Sequence, residues 1–203
     1  MLDFKLYAIG NLTLVRDLTL FVSEAARGGL RAFQLREKDL SGRSLFDLTK
    51  NIRNAAPHCK LFINDRADIA MSSGADGVHL PETSWPTNRI RQSFPQLQCG
   101  VSVHSLDGAK LAEENEADFI VFGPVFDTPS KQSIGMEAQG LAALSEIAHN
   151  INIPAFAIGG ITPERARQCI QHGAWGVATM SDLLTAPNIS ERLGEYKEAL
   201  GSL

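Results

Sequence analysis

The 203-residue chain has little cysteine: Cys59, Cys99 and Cys169 are odd in number and far apart. No C-x-x-C pair occurs, which excludes a zinc ribbon or a dithiol redox motif and leaves three thiols expected to be reduced and structural. No run of about 18 apolar residues is present, and Asp3 and Lys5 interrupt the opening segment where the apolar stretch of a signal peptide would lie. The expectation is a cytoplasmic protein with no membrane partner. Positive charge is also scarce. Nineteen Lys and Arg stand against 23 Asp and Glu, a net charge of −4 without a basic stripe, which argues against nucleic acid and for a small-molecule ligand.

Two further absences bear on architecture. There is no Pro/Ser-rich linker or shift in composition, so residues 1–203 read as one domain of a size that buries one substantial core. There is also no early G-x-G-x-x-G, which disfavours the doubly wound open sheet that is the alternative architecture.

What is present is a succession of short, continuous apolar runs separated by helical patterns, as parallel strands covered on both faces require. Strands are predicted at 5–10, 32–38, 61–65, 77–81, 98–104, 119–126, 154–161 and 175–181. Ser41 is placed to cap a helix carrying Leu45, Phe46, Leu48 and Ile52, and Thr162-Pro163-Glu164 supplies an N-cap, an N1 proline and an early acid for a helix that stops at Gly173. The segments "SGADGVHL", "NEADFIVFG" and "HGAWGVATM" rhyme, each running from a helix end through a small residue into a strand. Eight βα units in about 200 residues predict the α/β class, as a single (β/α)8 TIM barrel.

In such a barrel the chemistry sits at the C-terminal strand ends. Gly159 and Gly160 before the helix at Thr162, with Met180 and Ser181 as a second wall, are the candidate phosphate site. Arg36 and Lys38 alternate along one predicted strand, which would aim both at a second anion, with Lys131 reaching in from the strand-six loop. Asp65, beside Asn64, is a candidate hard-cation ligand. His104, closing "GVSVHS" with Ser102, is the candidate acid/base. His58, His149 and His172 fall in loops or helix ends, and His79 reads as a core histidine.

Taken in order, "QLREK", "INDRADIA", "GADGVHL", "GVSVHS", "FGPVFDTPSK", "AIGGI" and "VATMS" resemble the thiamine phosphate synthase superfamily over nearly the whole length. The resemblance implies one of two activities: the synthase, which couples a pyrimidine diphosphate to thiazole phosphate with Mg2+, or the TenI-like thiazole tautomerase, which aromatises a carboxythiazole phosphate without metal. The synthase motif has an Mg2+-binding Asp where "HLPETS" has Ser84, with Glu82 two residues away as a candidate substitute. The expected activity is therefore the tautomerase, with no cofactor and His104 relaying the proton. Arg36, Lys38, Asn64, Ser102, Thr128, Ser130, Lys131, Gly159, Gly160, Met180 and Ser181 then hold a thiazole phosphate. The alternatives are the Mg2+-dependent synthase, using Asp65, and a non-catalytic thiazole phosphate-binding barrel. An exposed apolar helix face is compatible with a homodimer.

Overall fold

A computed structural model describes residues 2–128 and 137–202. Eight parallel strands close into one barrel in chain order: β1 (Leu6–Gly10), β2 (Ala32–Leu35), β3 (Lys60–Asn64), β4 (Gly77–Leu80), β5 (Gln98–Val103), β6 (Phe119–Phe122), β7 (Ala155–Ala157) and β8 (Gly176–Thr179). The helices alternate with them as α1 (Leu18–Arg27), α2 (Gly42–Ala55), α3 (Ala67–Ser73), α4 (Thr87–Ser93), α5 (Leu106–Glu114), α6 (Gly140–Asn150), α7 (Pro163–Gln171), α8 (Ser181–Leu184) and α9 (Ile189–Leu200). The fold is a (β/α)8 TIM barrel, as the periodicity predicts. Ser41 and Thr162 cap α2 and α7, accepting from Ser44 N–H and Arg165 N–H. No helix among the described residues is long and apolar enough to cross a membrane.

Because strand side chains alternate, each strand serves two cores. Leu6, Ala8, Phe33, Leu35, Leu61, Ile63, Ile120 and Phe122 face the helices, while Tyr7, Ile9, Ala32, Phe62, Phe119, Val121 and Phe156 fill the lumen. Phe4, Tyr7, Phe62, Phe119 and Phe156 pack there ring on ring, with centroids such as Tyr7–Phe119 and Phe62–Phe119 at 5.5 Å. Room for them comes from the neighbouring strand: a Cβ on Gly100 would come within 2.8 Å of the His79 ring and run into Phe119. The lower lumen is thus filled by an aromatic plug, which leaves the opposite, C-terminal mouth as the candidate site.

The rhyming segments have a shared structural task. Asp76, before β4, accepts from Leu61 N–H at 2.8 Å, and Asp118, before β6, accepts from Cys99 N–H at 2.7 Å. Each carboxylate is also paired with an arginine, Arg53 or Arg91. In the third segment Trp175 takes this place, donating its indole N–H to Phe4 O at 3.1 Å beneath the Lys5 ammonium. The cysteines are free and buried, and burial pushes the Cys59 and Cys169 thiols up to about 12.

Several strands stop earlier than predicted. β2 ends at Leu35, not 38; β6 at Phe122, not 126; β7 at Ala157, not 161; β8 at Thr179, not 181. Apolar character runs on through Val125 and Ile161, but the chain leaves the ladder to line the mouth, and Gly159 and Gly160 turn it with φ of +104° and +62°.

Candidate active site

Lumen parity carries upward from the plug into a polar rim. Gln34 and Arg36 follow Ala32, Asn64 follows Phe62, His79 follows Gly77, and Ser102 and His104 follow Gly100. Cross-strand register sets their heights: His79 lies level with Asn64 and with Gly100, so His104, four residues after Gly100 and just past the end of β5, stands at the mouth.

His79 is buried between the Tyr7 hydroxyl and Ser102 Oγ, 2.9 Å from its Nε2. Burial, aided by the Arg36 charge, lowers its pKa to about 3, so the ring is neutral at physiological pH and serves to orient Ser102. His104 is half-buried, and its Nδ1 lies 2.6 Å from Gly123 O. A carbonyl oxygen only accepts, so Nδ1 carries a hydrogen and donates it to Gly123 O, which orients the ring. The next residue, Ser105, caps α5 by accepting from Gly108 N–H, which fixes the chain direction immediately after His104.

Asp65 is exposed at the end of β3 in a left-handed conformation, φ +56°, anchored by its N–H to His79 O. Ser84, on the loop after β4, donates to Asp65 Oδ1 at 2.7 Å. Glu82 does not substitute at this point: its carboxylate lies against Gly108 at the start of α5, where the helix N-terminus favours it. Asn64 Oδ1 accepts from Gln34 Nε2 at 3.2 Å, and Gln34 Oε1 is buried without a partner among the described residues.

The basic pair departs from expectation. Arg36 is half-buried in the rim, close enough to act on His79, but Lys38 lies three residues beyond the end of β2 and is exposed. The alternation that would have aimed both the same way requires extended backbone, and β2 stops at Leu35. Glu37 between them accepts from Leu12 N–H and so ties the β1 loop to the β2 loop. Thr128 lies on the loop after β6; Ser130 and Lys131 lie outside the described residues.

Gly159 and Gly160 come together with Met180 and Ser181 where β7 and β8 end. The N–H groups of Gly160, Met180 and Ser181 donate to no carbonyl among the described residues, leaving them available to an anion. The Gly160 carbonyl is held by Arg165 at 2.7 Å, whose guanidinium stacks 4.7 Å from the Phe126 ring centroid. A Cβ on Gly160 would approach Asp127 O to 2.9 Å.

Mg2+ is the ion that the coupling activity of the superfamily implies. No cluster of three His, Cys, Asp or Glu occurs among the described residues. Mg2+, however, is commonly held by one or two carboxylates plus substrate phosphate, and its octahedral 2.0–2.1 Å bonds put adjacent ligand oxygens about 2.9 Å apart. Asp65 Oδ1 and Ser84 Oγ, 2.7 Å apart, match such an edge. The two oxygens would hold such an ion together with the oxygens of a diphosphate.

Sequence reasoning passed over Gln34 and Tyr7, although the lumen parity of β1 and β2 would have found both. It also treated Ser84 as a missing ligand, because its contact with Asp65 depends on the left-handed turn.

An aromatic-floored barrel with a polar, glycine-turned mouth places this chain among the (β/α)8 barrels, the architecture in which enzymes work at the C-terminal strand ends. Comparison narrows the class: residues 6–183 match the family model described as thiamine monophosphate synthase, and the chain belongs to that family. It is 42% identical to a thiamine-phosphate synthase of Chlorobium luteolum over 176 residues, covering 84% of this chain and 81% of the relative. A provisionally named thiamine-phosphate synthase 2 of Aquifex aeolicus is 46% identical over 160 residues, covering 77% of this chain and 84% of that protein. Among solved structures, the thiamine phosphate pyrophosphorylase of Pyrococcus furiosus superposes with a TM-score of 0.88 at 31% identity, covering 97% of this chain and 95% of that one.

Proposed function

We propose that the protein joins a hydroxymethylpyrimidine diphosphate to a thiazole phosphate, the reaction for which its relatives are named. The observation that carries this reading is the oxygen edge formed by Asp65 and Ser84 at 2.7 Å. This replaces the expectation of a tautomerase drawn from Ser84: a hydroxyl is a neutral but competent oxygen donor, so its presence weakens a cation site without abolishing it. Bound Mg2+ would offset the charge that builds on diphosphate as the carbon–oxygen bond breaks and the electron pair leaves with it. The chain's own residues do the rest. Gly160, Met180 and Ser181 cradle the thiazole phosphate, Arg36 faces the diphosphate, and Ser102, held by His79, lines the floor beneath the reacting atoms.

One observation favours a second reading. The thiazole nitrogen attacks through its own lone pair, so coupling needs no protein base, yet an imidazole, His104, is fixed at the mouth by its Nδ1 contact with Gly123 O. Such a group suits a proton shift that aromatises a carboxythiazole phosphate. Two variants separate the readings. Asp65→Ala is expected to abolish coupling, while His104→Ala leaves a substantial part of it; loss of activity in His104→Ala alone, with Asp65→Ala unaffected, would assign the site to tautomerisation.

A further inference from the structure

We propose that Tyr196, on the C-terminal helix, is a positioning residue for the phosphate cradle. It is fully buried, and its hydroxyl lies 2.8 Å from Asp182 Oδ2, 3.2 Å from Ile161 O and 3.3 Å from Thr179 Oγ1. These partners are not scattered. Ile161 directly follows Gly159-Gly160 at the end of β7, Thr179 ends β8 and directly precedes Met180-Ser181, and Asp182 lies in the turn of helix after them. One phenol thus ties together, from behind, both segments whose free N–H groups face an anion.

The chemistry of the contact supports a purpose beyond filling space. A phenylalanine would satisfy the apolar surroundings without burying a hydroxyl, which is unfavourable unless partnered. The phenol has one proton. It shares that proton between the Asp182 carboxylate at 2.8 Å and the Ile161 carbonyl at 3.2 Å, and its oxygen accepts from Thr179. Burial raises the phenol pKa, so it keeps that proton throughout the working range. Arg192, 3.7 Å from Asp182, holds the carboxylate from the same helix. The spacing between the β7 turn and the β8 turn is therefore set by a hydrogen-bonded hub that touches no substrate.

This inference rests on the reading of Gly160, Met180 and Ser181 as the phosphate cradle. Tyr196→Phe keeps the ring and removes the hub, and Thr179→Val removes one of its arms while leaving the phenol in place. Titration calorimetry with hydroxyethylthiazole phosphate and with its dephosphorylated alcohol reads the effect. Both variants are expected to bind the phosphate ester about tenfold more weakly with affinity for the alcohol unchanged. Lower thermal stability with wild-type affinity for the ester, or equal weakening of ester and alcohol, would make Tyr196 a purely structural residue and overturn the proposal. If the wild type itself binds ester and alcohol equally, the cradle reading fails first, whatever Tyr196 does.

Discussion

The neutral histidine in the barrel floor makes stability depend on pH in a way that isolates one residue. His79 has a folded pKa near 3, against about 6.5 for an unperturbed imidazole. Between those values the unfolded chain binds a proton that the native protein refuses, so stability falls as pH falls. The contribution is fully present above pH 6.5 and is lost progressively on acidification toward pH 3. At pH 5 the unfolded state gains about 1.5 pH units of proton-binding free energy, or about 2 kcal/mol at 1.36 kcal/mol per unit, and His79 is fully buried, so solvent does not screen the effect away. Carboxylates titrate over the same range, so the test compares two proteins. Urea unfolding of wild type and His79→Gln at pH 7, 6 and 5 should show the stability difference shifting by about 2 kcal/mol in favour of the variant between pH 7 and 5. Parallel stability profiles would mean that His79 is charged or solvated in the native state, and its role in holding Ser102 would fall with that result.

Three other perturbations follow from the geometry. Asp118→Ala leaves the buried Cys99 N–H without its acceptor and Arg91 without its partner, a loss of roughly 1–3 kcal/mol, readable as a drop of several degrees in thermal midpoint; an unchanged midpoint would show that water replaces the carboxylate. Ser84→Asp adds a second carboxylate to the Asp65 edge and should tighten binding of Mn2+, followed by its paramagnetic resonance, in the presence of inorganic pyrophosphate; unaltered binding would place the cation elsewhere. Gly160→Ala forces a side chain into φ +62° and against Asp127 O, and is expected to weaken the phosphate ester while leaving global unfolding within about 1–3 kcal/mol of wild type; undiminished ester affinity would remove Gly160 from the cradle.

The barrel was legible because continuous apolar runs, Ser41 and Thr162 caps and glycine stops are local signals. The strand ends were not. Beyond Phe122 and Ala157 the sequence stays apolar through Val125 and Ile161, and only the positive-φ glycines and the paired neighbouring strands decide where the ladder stops. The same limit applies at the site. His79 lies within its predicted strand and reads as a core histidine, and His104 closes its own, but their heights come only from the register that sets His79 level with Gly100, which puts the first in the floor and the second on the rim. Lys38 was misplaced because its predicted strand was too long. The Asp65–Ser84 contact joins residues nineteen apart in sequence through a left-handed turn at a non-glycine residue, which no sequence pattern announces. The rhyming segments were visible, but their use of Asp76 and Asp118 to clamp the preceding strand appears only once β3 and β5 are in place.

The central claim is that the mouth couples two heterocycles with a cation carried on the diphosphate. Incubation of the purified protein with hydroxymethylpyrimidine diphosphate, thiazole phosphate and Mg2+, with thiamine phosphate followed by mass spectrometry, tests it most directly. Product is expected with Mg2+, and none with EDTA or in Asp65→Ala. No product under any condition, alongside EDTA-insensitive aromatisation of the carboxythiazole phosphate that disappears in His104→Ala, would contradict it.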